Sequence, residues 1–280
     1  MRRALCLLVL FLIAASCGGG DAETTPDQAP PGEEPFAVVA SSDLAVGENR
    51  FLLALREFDG TPIGSPSDPL QVTVHPDGRP EETQTVDASF VWIVPDVTGL
   101  YRAQLVFDAS GVWMVEATLG GRAIPAASFL VRPEPLAAAV GQPAPASVTP
   151  TNADSSLKEI TSDPSPDPRF YELSVDQALE SGRPSVIVFA TPAFCTTQAC
   201  GPMVDQMKVL ADSWPGVNWV HVEVFENIQD ANNLSYVPAI TEWGLPTEPW
   251  LFVADGGGIL RARFEGVVDP AEIVAVLESL

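Results

Sequence analysis

Ser185-Val-Ile-Val-Phe-Ala190, then Thr191-Pro-Ala-Phe-Cys195, then Thr-Thr-Gln-Ala-Cys200-Gly-Pro-Met203, is the stretch on which the reading of this chain turns. The run from Ser185 to Ala190 is short, apolar and rich in branched side chains, as expected of a strand buried on both faces. Pro202 suits the first turn of a helix, where an absent amide hydrogen costs no bond. The strand therefore delivers Cys195 to a loop and Cys200 to the mouth of a helix, a setting in which thiols become redox-active.

The chain has four cysteines. Cys6 falls in a segment built from Arg2-Arg3 and the apolar run Ala4 to Ala15, which reads as a secretory signal over 1–16, too short to persist as a spanning helix. Ala14-Ala-Ser-Cys17-Gly-Gly-Gly resembles a bacterial lipobox, in which the signal peptidase cuts before the cysteine and that cysteine takes lipid. The resemblance implies a lipoprotein of the cell membrane, on its extracytoplasmic face, anchored through Cys17. Cys195 and Cys200 would then be the only thiols left, in a compartment that permits disulfides.

With 37 acidic and 14 basic residues in 280, the formal net charge is −23. That balance argues against nucleic acid as a partner. The acids are scattered, which suits a solvated surface better than a cation site. No cofactor and no resident metal are expected.

Residues 17–35 are Gly, Asp, Glu, Thr and Pro without apolar periodicity, and read as a disordered stalk. From 36 to 132 come about seven strand-length apolar runs, Phe36 to Ala40, Arg50 to Arg56, Leu70 to Val74, Ser89 to Val94, Leu100 to Phe107, Val112 to Leu119 and Ala127 to Val131, separated by turn residues. An all-β antiparallel sandwich is expected. Asp96-Val-Thr-Gly-Leu-Tyr101 resembles the tyrosine corner of immunoglobulin-like (Ig-like) domains, in which the hydroxyl ties a loop to the backbone. The region is also similar to small envelope Ig-like modules, some of which bind copper, but His75 and Met114 are isolated and make no ligand set.

Residues 133–168 contain eight prolines and read as a semi-rigid extended linker between two domains. From 169 to 280 the expected order is helix (Ser174 to Ser181), strand (Ser185 to Ala190), helix (Pro202 to Trp214), strand (Val217 to Phe225), strand (Trp250 to Ala254), strand (Ile259 to Glu265) and helix (Asp269 to Leu280). This is an α/β domain ending in a hairpin.

That order, with a cysteine just past the first central strand, resembles the thioredoxin fold of the thioredoxin/redoxin superfamily. Ser181-Gly-Arg-Pro184 is similar to the turn before its first core strand, Glu248-Pro249-Trp-Leu-Phe-Val-Ala-Asp-Gly256 to its cis-proline, strand and hairpin, and Arg263-Phe-Glu-Gly266 to the lead into its last helix. The resemblance implies a cis Glu248-Pro249 bond across from the cysteines. Trp214, Trp219, Trp243 and Trp250 read as core and groove lining, and Trp243 and Trp250, flanking Pro249, as an apolar rim for a partner. Three features depart from the family. The spacing is Cys-x4-Cys rather than Cys-x-x-Cys, Ile187 stands where a proton-relaying carboxylate is common, and no tryptophan precedes Cys195.

Two residues five apart on one helix would be roughly 8 to 9 Å between Cα atoms, beyond the ~7 Å a disulfide bridges, so the helix should begin near Pro202 and leave Thr196 to Ala199 as a loop. The same stretch resembles that of Q-type peroxiredoxins, which use this spacing for peroxidatic and resolving thiols. It has one residue more between Thr191 and Cys195, no proline four residues before Thr191, and no arginine before the strand beginning at Trp250.

The functional expectation is thiol-disulfide exchange with envelope proteins through Cys195 as nucleophile and Cys200 as resolving thiol, with Glu248, Pro249, Trp243 and Trp250 contacting the partner. The alternatives are a binding module with a static disulfide, an atypical two-cysteine peroxiredoxin, and a copper-delivery protein using His221. His221 lies inside an apolar strand and reads as a packed residue.

Overall fold

Alternation organises the first half of the chain. In Leu70-Gln-Val-Thr-Val74 every second residue is apolar, and Leu70, Val72 and Val74 are buried while Gln71 faces solvent. In the computed structural model, which describes residues 34–280, eight such strands occur among the described residues. They are β1 (Phe36–Val39), β2 (Gly47–Arg56), β3 (Pro62–Ile63), β4 (Leu70–Pro76), β5 (Gln84–Val94), β6 (Thr98–Phe107), β7 (Gly111–Leu119) and β8 (Arg122–Val131).

The antiparallel sheet runs β1-β2-β6-β5-β4-β7-β8, with β3 attached to β2. β5 turns the corner. Its residues 84–88 pair with β4, and Ser89 to Val94 with β6. The two halves thus fold over a shared core that includes Phe51, Leu53, Leu105, Phe107, Val115 and Phe129, each such side chain contributing roughly 2 to 3 kcal/mol on burial. Near the free edges, a bridge between Ala45 and Arg132 brings the sheet close to barrel closure. The Tyr101 hydroxyl donates to the Asp68 carbonyl at 3.1 Å, tying down the loop before β4.

The second half is a smaller α/β region. It comprises α1 (Leu157–Ile160), a 3-10 turn (Pro168–Tyr171), α2 (Val175–Glu180), β9 (Ser185–Ala190), α3 (Cys200–Ser213), β10 (Asn218–Glu223), β11 (Phe225–Glu226), β12 (Ser235–Tyr236), α4 (Pro238–Glu242), β13 (Trp250–Ala254), β14 (Leu260–Glu265) and α5 (Pro270–Glu278). The sheet order is β10-β9-β13-β14. β9 and β10 are parallel, with α3 as the crossover between them, and β13 and β14 are antiparallel. Every residue of β9 is buried because both faces are covered. Val186 and Val188 pack with Met203 and Met207 of α3 and Ile273 of α5, while Ile187 and Phe189 pack with Ala178 of α2 and Trp243.

Residues 133–168 are not a free arm between separated domains. They form a strap laid along the α/β region, with Ala137, Ser147, Thr149, Thr151 and Ile160 buried. The Ala138 amide donates to the Trp243 carbonyl at 3.0 Å, and Pro143 bridges Ile259 at the start of the final hairpin. Proline makes an extended strap cheap, because it fixes φ and leaves no amide to satisfy.

The sheet and the α/β region also touch directly. Asp43, whose side chain is 0% exposed, accepts from Arg263 Nη1 at 2.8 Å and from the Leu136 and Ala137 amides at 2.7 and 3.0 Å. Glu272 at the start of α5 binds Arg50 at 2.8 Å and Arg102 at 2.7 Å. Among the described residues no helix is long and apolar enough to cross a membrane. The expectations for the signal segment, for Cys17 and for most of the stalk fall outside the described residues.

Candidate functional site

Cys195 and Cys200 are joined by a disulfide, with their Cα atoms 6.0 Å apart. That separation is possible because only Cys200 is helical. Cys195 sits in the loop after β9, and α3 begins at Cys200, two residues ahead of the position expected from Pro202. The first four helical amides have no intrahelical acceptor anyway, so a proline in the third position costs nothing. Thr196 to Gln198 are exposed, and Gln198 takes φ 61° to turn the chain back toward the helix. The two sulfurs differ in access. Cys200 is 0% exposed, whereas Cys195 is half-buried and has Thr197 Oγ1 at 3.2 Å from its sulfur.

Beneath the loop lies a buried polar cluster. His221 Nε2 donates to the Ala190 carbonyl at 3.0 Å, and Nδ1 accepts from the Tyr171 hydroxyl at 2.6 Å. Burial lowers the His221 pKa, opposed by the charge of Glu223, and the hydrogen bonds fit a neutral ring. Both nitrogens are committed inside the protein, which leaves neither free to ligate a metal as a copper-delivery role requires. Among the described residues no three His, Cys, Asp or Glu side chains converge as a metal site.

Glu223 ends β10 beside Ala190 in the sheet register and accepts from the Ser162 amide at 2.7 Å. The Ser162 hydroxyl in turn accepts from the Ala193 amide at 3.1 Å, so the strap braces the cysteine loop. Asp163 pairs with Lys208 of α3 at 2.6 Å. Sequence reasoning missed Glu223, Asp163 and Tyr171. The one available signal was an acid closing the strand-length run that also holds His221.

On the other flank, the Glu248-Pro249 bond is cis and Pro249 is buried. Glu248 and the loop residues Thr196 to Ala199 line one cleft. Burial pushes the Glu248 carboxyl up to about 7, helped by the charge of Glu223 and opposed by the Thr191 amide. Its Oε2, like Glu223 Oε1, is buried without a hydrogen-bond partner. Ile187 is packed in the core, so the carboxylates near the end of β9 come from the end of β10 and the loop before β13.

Trp243 and Trp250 are not a rim. They are 1% and 2% exposed and pack against Phe252, Trp243 tilted at 4.6 Å and Trp250 stacked at 5.8 Å between ring centres. Their indole nitrogens donate to Ser147 Oγ at 3.1 Å and Thr247 Oγ1 at 3.3 Å. Large flat side chains on an all-buried sheet face fill the core first. The exposed aromatic near the cysteine loop is instead Tyr236, stacked on Phe225 at 5.0 Å, with Phe194 edge-on to Phe225 at 6.5 Å.

No family model matches the chain, and no curated protein matches it. Three solved structures align with parts of it. MTB DsbF, in its mixed oxidized and reduced forms, is 18% identical over 35% of this chain and 81% of its own, with a TM-score of 0.29. The Lin-41 filamin domain is 18% identical over 38% of this chain and 99% of its own, with a TM-score of 0.24. The superoxide reductase (neelaredoxin) of Ignicoccus hospitalis is 12% identical over 36% of this chain and 81% of its own, at 0.24. None of the three defines an activity for this chain.

Proposed function

We propose that the protein is an envelope-anchored thiol-disulfide oxidoreductase, with a thioredoxin-like α/β unit carrying the redox pair, an Ig-like sandwich beside it and a lipid anchor on Cys17. The observation that carries the reading is the asymmetry of the disulfide. One sulfur is half-exposed in a loop and the other is sealed at the first residue of a helix, where the helix dipole favours a thiolate.

A partner thiolate attacks Cys195 Sγ, the Cys195–Cys200 bond breaks, and Cys200 leaves as a thiolate and takes up a proton. A second partner thiolate then attacks the partner's own sulfur in the mixed disulfide and releases Cys195, which is protonated in turn. The partner ends as a disulfide and this protein as a dithiol. The reverse sequence reduces a partner disulfide, and the relative potentials set the direction.

The test is alkylation and turnover of the reduced protein. Iodoacetamide should label Cys195 before Cys200, and the dithiol should reduce insulin in stoichiometric amounts. Preferential labelling of Cys200 would reverse the roles, and inert thiols would leave a static disulfide. Consumption of hydrogen peroxide without insulin reduction would make the protein a peroxidase instead.

A further inference from the structure

β2 is buried on both faces for part of its length. Phe51, Leu53 and Leu55 point into the core of the large sheet, while Leu52 points the other way and is still only 1% exposed. The α/β region covers Leu52. Together with Val91 and Leu100 it packs against Ala199, the residue before Cys200, and Val267. That cover stops short. Ala54 and Ile93 are partly buried, Val38 is 40% exposed and Val97 74%. Between this apolar sheet face and the disulfide loop lies an open cleft of about 650 Å³, bordered on the loop side by Thr196 to Ala199 and Glu248. Arg56 lines it from the sheet side, donating to the Gly60 carbonyl at 2.8 Å, with no carboxylate in salt-bridge range among the described residues.

We propose that this cleft seats the partner protein, so that the antiparallel sheet decides which cysteine reaches Cys195. The inference rests on the exchange reading above. The occupant is an extended polypeptide segment carrying the reacting cysteine, with apolar side chains against Val38, Ala54 and Val97 and an acidic group toward Arg56. The cleft continues an interface that is already apolar and well packed at Leu52 and Ala199, so a partner segment there extends a buried surface. A small thiol would gain nothing from such a wall.

The test uses the chain with Cys6, Cys17 and Cys200 all changed to serine, leaving Cys195 as the one reacting thiol. Three probes are offered: a peptide with Leu and Val beside a cysteine activated as an aryl disulfide, the same peptide with Ser in their place, and a small aryl disulfide alone. The apolar peptide should react about tenfold faster than the serine peptide, the scale of losing one or two buried methyl contacts. Val38→Asp with Val97→Asp, both at exposed positions, should erase that preference and leave the small probe unchanged. Adding a Glu to the apolar peptide should speed its reaction further, and Arg56→Glu should reverse that gain; a gain that survives Arg56→Glu overturns the proposal.

A preference that survives the aspartates, or equal slowing of every probe, overturns the proposal while Cys195 still reacts. No reaction with any probe overturns the exchange reading itself. A dimer that dissociates in Val97→Asp, with peptide preference unchanged, places a second copy of the chain in the cleft and also overturns it.

Discussion

Glu248 holds its proton up to about pH 7 in the folded protein, against 4.5 ordinarily, because burial and the negative Glu223 outweigh the pull of the Thr191 amide. Between those values the folded chain keeps a proton that the unfolded chain has lost. The contribution to stability is therefore complete below 4.5 and lost as pH rises through about 7. Glu248→Gln should flatten that slope, so that the urea midpoint falls less between pH 4.5 and 8 than in the parent protein, and parallel slopes would contradict the assignment. Much of this residue's setting was legible, since it stands next to Pro249. Glu223 was not, because a neighbour two strands away leaves no local trace. His221 was legible as a packed residue from its place within an apolar strand, but its bond to Tyr171, 50 residues earlier, was not.

β9 was readable to the residue, because a strand covered on both faces must be apolar throughout. The start of α3 was not. Proline marks the first turn of a helix but does not fix which residue of that turn it occupies, so Cys200 proved helical while Cys195 stayed outside. α1, α4 and the β11-β12 pair are too short for any periodicity to show. The disulfide closes a loop with a sequence separation of 5, and so short a loop stabilises by only about 2 kcal/mol through chain entropy. Reduction should lower the melting temperature by roughly 4 to 8 °C without unfolding the protein. Loss of the cooperative transition on reduction would recast the disulfide as structural.

The arrangement of the whole chain was the least legible level. A proline-rich composition is the same for a free linker and for a strap, and only the burial of residues such as Ala137 and Ile160 distinguishes them. Likewise nothing in a chain of net charge −23 singles out Asp43 or Glu272 as the acids that meet Arg263, Arg50 and Arg102 across 170 to 222 residues. Glu272→Ala would strand Arg50, whose side chain is 11% exposed, and also remove a capping-box residue of α5. A loss of roughly 3 kcal/mol is expected on chemical unfolding, and a loss near zero would mean the two regions dock without that pair. The account as a whole depends on Cys195 being the sulfur that partners reach. Its most direct test is capture of an activated cysteine peptide by two single-thiol variants, made in a chain whose Cys6 and Cys17 are both serine. Cys200→Ser should form the mixed disulfide rapidly and Cys195→Ser scarcely at all, whereas equal capture by both, or faster capture by Cys195→Ser, would contradict it.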